Sequence, residues 1–218
     1  MTLSPEQIDE VADALNAAVL SDCLDQVGCT GQILSARLRP LDPAMRVVGV
    51  AATILISETF VIPPDPYRGM LETIDAAQVG SVMVIVSATQ RCAVWGELFS
   101  TAAQARGLRG TLIDGYSRDT ERIIAEAYPV FAVWSKPIDM AGRGQFLSAG
   151  DPVEIDGVRI APGDLVFGDR DGVVVVPAGL ADEVIARAYA KIGKEGLARA
   201  ALRRGVRMQQ VWEDHGVL

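Results

Sequence analysis

Glu97 lies in the run Trp95-Gly96-Glu97-Leu98-Phe99, and twenty residues separate it from the pair Arg118-Asp119. Two carboxylates and a guanidinium are the groups that can hold a hard cation and a small anion side by side. Carboxylate oxygens and water suit magnesium or manganese, and a planar guanidinium clamps a carboxylate through paired hydrogen bonds. Gly96 lets a ligand approach the backbone, and the first free amides of a following helix, near Leu98 and Phe99, offer donors to an anion. Each residue also has a plainer role open to it. Asp119 can cap a helix, Arg118 can form a surface ion pair, and Glu97 can complement a helix dipole from the first turn.

The remaining composition narrows the chemistry. His215 is the only histidine and stands near the end of the chain, so a Ser-His-Asp triad or a multi-histidine metal site within one chain has no material. Lysine occurs only at 136, 191 and 194, which leaves few nucleophiles for Schiff-base chemistry. No phosphate-binding glycine pattern is present. Cys23, Cys29 and Cys92 form no Cys-x-x-Cys pair and read as reduced core fillers. With 28 acidic against 20 basic residues the net charge is -8, which disfavours nucleic acid and anionic lipid as partners. No apolar run is long enough for a membrane span, and Met1 to Gln7 lacks the features of a signal peptide, so the expected location is cytoplasmic.

The elements that must position these groups follow from periodicity. The 218 residues read as one domain, 1–218, with a helical C-terminal extension over about 178–218. Ser4-Pro5-Glu6-Gln7 forms a capping box, and Ile8, Val11, Leu15 and Val19 continue it as one amphipathic helix. Strands are expected at 46–56, 81–86, 111–113 and 129–133, and helices at about 68–78, 96–106 and from Ser117 or Asp119 to about Ala127. Asp114-Gly115 reads as a sharp turn after the third strand. Beyond Asp151 four short strands alternate with Asp-Gly and Pro-Gly turns, and a helix around 180–188 leads into a basic helical stretch over 191–207.

Three segments together resemble one known family. They are Trp95-Gly96-Glu97-Leu98, the Arg118-Asp119 pair after Asp114-Gly115, and Gly168-Asp169-Arg170-Asp171-Gly172 followed by Val173 to Pro177. The chain is similar over about 20–186 to the RraA-like family, which includes 4-hydroxy-4-methyl-2-oxoglutarate aldolases and oxaloacetate decarboxylases. The resemblance implies an α/β fold built as a β/β/α sandwich, trimers or dimers of trimers, and an active site between neighbouring subunits. It also implies that Asp119 binds Mg²⁺ (or Mn²⁺), that Arg118 holds the substrate's carboxylate and keto end, and that Glu97 orders water on the metal. Gly96, Leu98 and Phe99 would complete substrate binding, and Glu195 resembles an acid lent across the subunit boundary. The implied substrate is a short 4-hydroxy-2-oxo di- or tricarboxylic acid, cleaved to pyruvate. The chain departs from the family in carrying Arg122 where an acid is usual, with Glu121 one position earlier.

Two rival readings remain. Some RraA-like proteins bind and inhibit a ribonuclease without catalysis, and Lys136, following a strand, reads as the lysine best placed for burial and Schiff-base chemistry. Asp169 and Asp171 suit a tight turn better than a metal site. Asp139 and Arg143 either select a distal substrate group or stabilise their own loop, and Trp95 reads as a core or wall residue.

Overall fold

The computed structural model describes residues 3–217. The chain opens with two helices, α1 (Pro5–Ala14) and α2 (Ala17–Gln26), where periodicity suggests one. Leu15 is extended, with φ -104° and ψ 170°, and Asn16 then caps a new helix by accepting from the Val19 N–H at 2.9 Å. A side-chain acceptor for the amides of a first turn restarts a helix here, and apolar spacing alone does not reveal the break.

Next come β1 (Arg39–Pro40), β2 (Val47–Glu58), α3 (Arg68–Ala76), β3 (Ser81–Ser87), β4 (Ala93–Trp95), α4 (Glu97–Ala105), β5 (Gly110–Ser117), α5 (Thr120–Ala125) and β6 (Val130–Ser135). Strand β5 runs on through Asp114-Gly115 without turning back, but its register against β6 shifts between Ile113 and Tyr116, so the expected turn becomes an irregularity within the strand. Gly115 serves close packing instead: a Cβ at that position would stand 3.0 Å from the Ser87 Cβ. Then follow β7 (Gly144–Ala149), β8 (Val153–Ile155), β9 (Val158–Ile160), β10 (Leu165–Gly168) and β11 (Val173–Val176). A single-turn 3₁₀ segment over 178–180 leads into α6 (Ala181–Arg203), and α7 (Met208–His215) closes the chain.

The main sheet has the order β1-β6-β5-β3-β2-β10-β11, with β4 beside β5 and β7 beside β2. Pairing is parallel through β2, β3, β5 and β6 and antiparallel at β1, β7, β10 and β11. The nearly unbroken burial of β3, Ser-Val-Met-Val-Ile-Val-Ser, is what a central parallel strand covered on both faces requires. On β10 and β11 the pleat divides the side chains: Val166, Val173 and Val175 join one apolar cluster, while Leu165, Phe167, Val174 and Val176 join another against α1, α2 and α6. The separate β8–β9 hairpin packs Val153, Ile155, Val158 and Ile160 into the first cluster. A mixed sheet flanked by a second small sheet and by helices is the α/β architecture the sequence leads one to expect.

Two further sequence expectations resolve here. Asp169 accepts from the Asp171 N–H at 2.9 Å and from the Ala17 N–H at 2.9 Å, so it shapes the β10–β11 turn and caps α2. Cys23 and Cys92 are buried, and desolvation pushes both thiols up, away from the reactive thiolate. Among the described residues no helix is long and apolar enough to cross a membrane.

Candidate active site

Parallel pairing explains how two motifs twenty residues apart become neighbours. Strand β4 lies beside the end of β5 with Trp95 opposite Ser117, so the residues leaving each strand, Gly96-Glu97 and Arg118-Asp119, emerge side by side. The Arg118 N–H donates to the Trp95 carbonyl at 2.9 Å and fixes the two exits together.

Asp119 does not cap its own helix through its side chain. It occupies the N-cap position of α5, and its backbone is left-handed with φ 60° and ψ 33°. A non-glycine residue in that region carries strain, of the kind that concentrates at functional sites. The strain turns the carboxylate back toward α4, where Oδ2 stands 3.4 Å from the Glu97 N–H and 3.6 Å from the Arg118 Nε. Gly96 makes room for it: a Cβ on residue 96 would lie 2.7 Å from Asp119 Oδ2.

A cavity of about 490 Å³ opens on this carboxylate. Gly96, Glu97, Leu98, Phe99, Arg118 and Asp119 all line it, so every candidate of the two motifs reaches one space. Trp95 is buried, stacks on Phe99 with ring centroids 5.3 Å apart and donates to Ser100 Oγ at 2.8 Å, which makes it a wall. Arg122, in the place where the family usually has an acid, stands at the exposed rim 3.9 Å from Glu97.

The structure adds a group that sequence reading left undecided. Asp139 sits 3.0 Å from Arg118 Nη1, accepts from the Ala141 N–H at 2.9 Å and also accepts from the Tyr67 hydroxyl. Burial alone would raise its pKa, but the Tyr67 hydroxyl, the main-chain N–H groups and Arg118 outweigh it and hold the carboxyl below its ordinary value. Arg143 instead donates to the carbonyls of Asp139 and Ala141 and braces the loop. Tyr67 was not singled out by sequence reading; its signal is its place four and seven residues before Leu71 and Ile74, which line the same cavity.

Other candidates lie elsewhere. Lys136 is half-exposed, donates to the Gln90 carbonyl and lies over the Tyr116 ring, and it does not line the cavity. Lys191 on α6, its side chain 15% exposed and paired with Asp22, is also partly buried, so Lys136 does not stand alone in that respect. Glu195, on α6, faces Lys191 at 4.0 Å and Arg199 at 3.9 Å and stands apart from this chain's own cavity.

The donor set suits a hydrated divalent ion. Among the described residues no three acidic, histidine or cysteine side chains gather into a closed metal cage. Magnesium needs no such cage, since it keeps several waters and takes one or two carboxylates. Asp119, 45% exposed with only long contacts to its oxygens, has lone pairs to give, and Glu97 lines the same space.

The chain is similar in sequence and in fold to known proteins. The chain is 32% identical over 207 residues to Protein DlpA of Legionella pneumophila, covering 92% of this chain but spanning only 32% of that longer relative. It is 30% identical over 193 residues to a protein of Halalkalibacterium halodurans named "Putative 4-hydroxy-4-methyl-2-oxoglutarate aldolase", with 87% of this chain and 86% of the relative covered. An uncharacterized protein from Pseudomonas syringae pv. tomato superposes with TM-score 0.86 at 32% identity over 98% of this chain and 96% of its own. Streptomyces coelicolor RraAS2, described as an unusual member of the RNase ES inhibitor RraA family, superposes with TM-score 0.79 over 90% of this chain and 98% of its own; at 24% identity the likeness is one of fold. The family model described as RraA-like, Aldolase/RraA, matches residues 17–175, a span that contains the whole Glu97–Arg118–Asp119–Asp139 constellation, and the chain belongs to the RraA-like family.

Proposed function

We propose that this protein is a divalent-metal-dependent carbon-carbon lyase that cleaves a short 4-hydroxy-2-oxo acid and releases pyruvate. The observation that carries the reading is Asp119, whose strained backbone turns its carboxylate away from its own helix and into the cavity beside Arg118.

Asp119 would hold Mg²⁺ or Mn²⁺ directly, with Glu97 acting on it through water. A cation bound there supplies Lewis-acid stabilisation of the negative charge that develops during cleavage. Arg118 clamps the substrate carboxylate, and the free amides at the start of α4, near Leu98 and Phe99, orient it. Glu97 positions the water that takes the proton from the C4 hydroxyl. The C3–C4 bond then breaks, its electrons pass into the 2-oxo acid fragment as the pyruvate enolate, and the C4 fragment leaves as an aldehyde or ketone. Arg118 faces the charge that builds on the enolate, so it stabilises the transition state more than the ground state. Protonation at C3 gives pyruvate. Oxaloacetate decarboxylation passes through the same enolate and is expected as a companion activity.

The reading includes a homo-oligomer, a trimer or dimer of trimers, in which Glu195 of one copy serves the cavity of the next. Three consecutive apolar residues, Phe60, Val61 and Ile62, are each more than 65% exposed, and such a patch favours association between copies.

A pyruvate-coupled screen of 4-hydroxy-2-oxo acids and oxaloacetate tests the proposal. Turnover should require Mg²⁺ or Mn²⁺, vanish in EDTA and return when the ion is restored. Full activity in EDTA would sink the metal-dependent reading. Capture of a ribonuclease without any pyruvate release would replace it with the inhibitor reading.

A further inference from the structure

Each oxygen of the Asp139 carboxylate has its own task. Oδ2 accepts from the Ala141 N–H at 2.9 Å and from the Tyr67 hydroxyl, which leaves Oδ1 to meet Arg118 Nη1 at 3.0 Å. One oxygen is anchored and the other points. The anchor is built from two segments that pack on each other. The Thr59 N–H donates to the Arg143 carbonyl at 3.0 Å, a Cβ on Gly142 would stand 3.0 Å from Ile62 Cγ1, and Arg143 Nη1 donates to the Asp139 carbonyl at 3.3 Å. At the start of the loop the Ala93 N–H donates to the Ile138 carbonyl at 2.8 Å, which ties it to β4. The stretch 59–67 and the loop 139–143 therefore form one unit, and that unit presents Tyr67 and Asp139 together.

Arg118 carries its guanidinium on a long stem whose side chain is 40% exposed. Such a stem gives up its rotamer freedom only where something holds its head. Asp119 Oδ2 is 3.6 Å from Nε, too far for a hydrogen bond, so the closer contact with Asp139 is the stronger restraint. All of these contacts lie within one chain, and they do not depend on what a neighbouring copy brings to the cavity. Charge and aim make opposite forecasts for Asp139. A carboxylate beside Arg118 competes with an incoming carboxylate, so by charge alone its loss would tighten anion binding. If it fixes the plane of the fork, its loss weakens that binding.

We propose that Asp139, set by Tyr67, is a positioning residue that acts on the substrate only through Arg118, by fixing the plane of the guanidinium for a carboxylate in the cavity. The inference rests on the lyase reading for the identity of that carboxylate, but aim and binding can be measured apart from turnover. Asp139→Asn is the decisive change. An amide has one oxygen, so it cannot accept from Tyr67 and Ala141 and also offer an acceptor to Arg118. In the full chain labelled with ¹⁵N-arginine, NMR should show slow guanidinium rotation for Arg118 and faster rotation in Asp139→Asn. Calorimetric titration with pyruvate, Mg²⁺ present, should show binding about tenfold weaker in Asp139→Asn and about threefold weaker in Tyr67→Phe. The double variant should bind no more weakly than Asp139→Asn alone, because Tyr67 acts through Asp139. Unchanged rotation, unchanged or tighter pyruvate binding in Asp139→Asn, or additive losses in the double variant overturns the inference, even where pyruvate release from hydroxy acids upholds the lyase. The expected pattern with no pyruvate from any hydroxy acid upholds the inference and removes the lyase. If Asp139→Asn does not fold, Tyr67→Phe, which lacks a single hydroxyl, decides by the same two readouts: faster Arg118 rotation with weaker pyruvate binding upholds the inference, and no change in either overturns it.

Discussion

Asp139 holds the Arg118 guanidinium at 3.0 Å, and the same carboxylate is held in turn by the Tyr67 hydroxyl. The arginine proposed to bind substrate is thereby aimed from three segments: the end of β5, the loop after β6 and the start of α3. Aim matters more than charge at such a position, because a fork-shaped donor binds a carboxylate only when its plane is fixed.

Arg118→Lys keeps the charge and loses the fork. The variant should lose both affinity and turnover, with a penalty of roughly 2 to 4 kcal/mol in transition-state stabilisation. Pyruvate should inhibit it less. Steady-state kcat/KM and product inhibition check this, and near-wild-type constants would remove Arg118 from the site.

Asp119→Asn retains a side chain that tolerates positive φ, so the fold should survive with a stability change within about 1 kcal/mol. The carboxylate is gone, however. Mg²⁺ is expected to raise the Tm of the parent protein, and in the variant that rise should be absent along with activity. Global unfolding of the variant would instead mark Asp119 as structural.

Gly96→Ala places a methyl group 2.7 Å from Asp119 Oδ2, although the extended backbone at Gly96, with φ -154°, accepts alanine without strain. The carboxylate must shift by several tenths of an ångström. Circular dichroism should be unchanged while turnover falls by up to ~100-fold, the cost of a full ångström of misplacement.

The pH dependence of the Asp139 contact has a definite sign. Its pKa is held below the ordinary value in the folded chain, so the contact contributes stability at pH values above the unfolded carboxyl pKa. That contribution is lost as pH falls through the lower, folded pKa. Tyr67→Phe removes one of the groups that lower it, so the Asp139 carboxyl should titrate at higher pH in the variant. Carbon-detected NMR titration reads the shift; no movement would show that Tyr67 is a bystander.

The spaced acid and Arg-Asp pair stood out in the sequence through their likeness to a family motif, since residue type alone left each a plainer role, and the short strand β4 that sets Glu97 beside Arg118 gave no signal of its own. Asp139 and Tyr67 were harder to place. Their meeting is made by tertiary packing of a loop against a helix start, and neither neighbourhood carries a motif. The same limit applies to β7, Gly-Gln-Phe-Leu-Ser-Ala, whose partly buried side chains give no clear alternation. Conversely, Asp114-Gly115 has turn chemistry, yet the parallel strands beside β5 reduce it to a register shift within the strand. Where pairing partners supply most of the stabilisation, dipeptide preference loses.

The cap that Asp169 places on the Ala17 N–H joins residues 152 positions apart. During synthesis α2 emerges long before the β10–β11 turn exists, and its first amide must remain with solvent until that turn arrives. The N-terminal helices are therefore expected to dock late, by a long-range closure that costs chain entropy before it returns any contact. Refolding of the intact chain is expected to be slow, and Asp169→Ala should chiefly speed the detachment of α2 if its cap forms after the main barrier. In this protein the order of synthesis and the order of assembly run in opposite directions at the same helix.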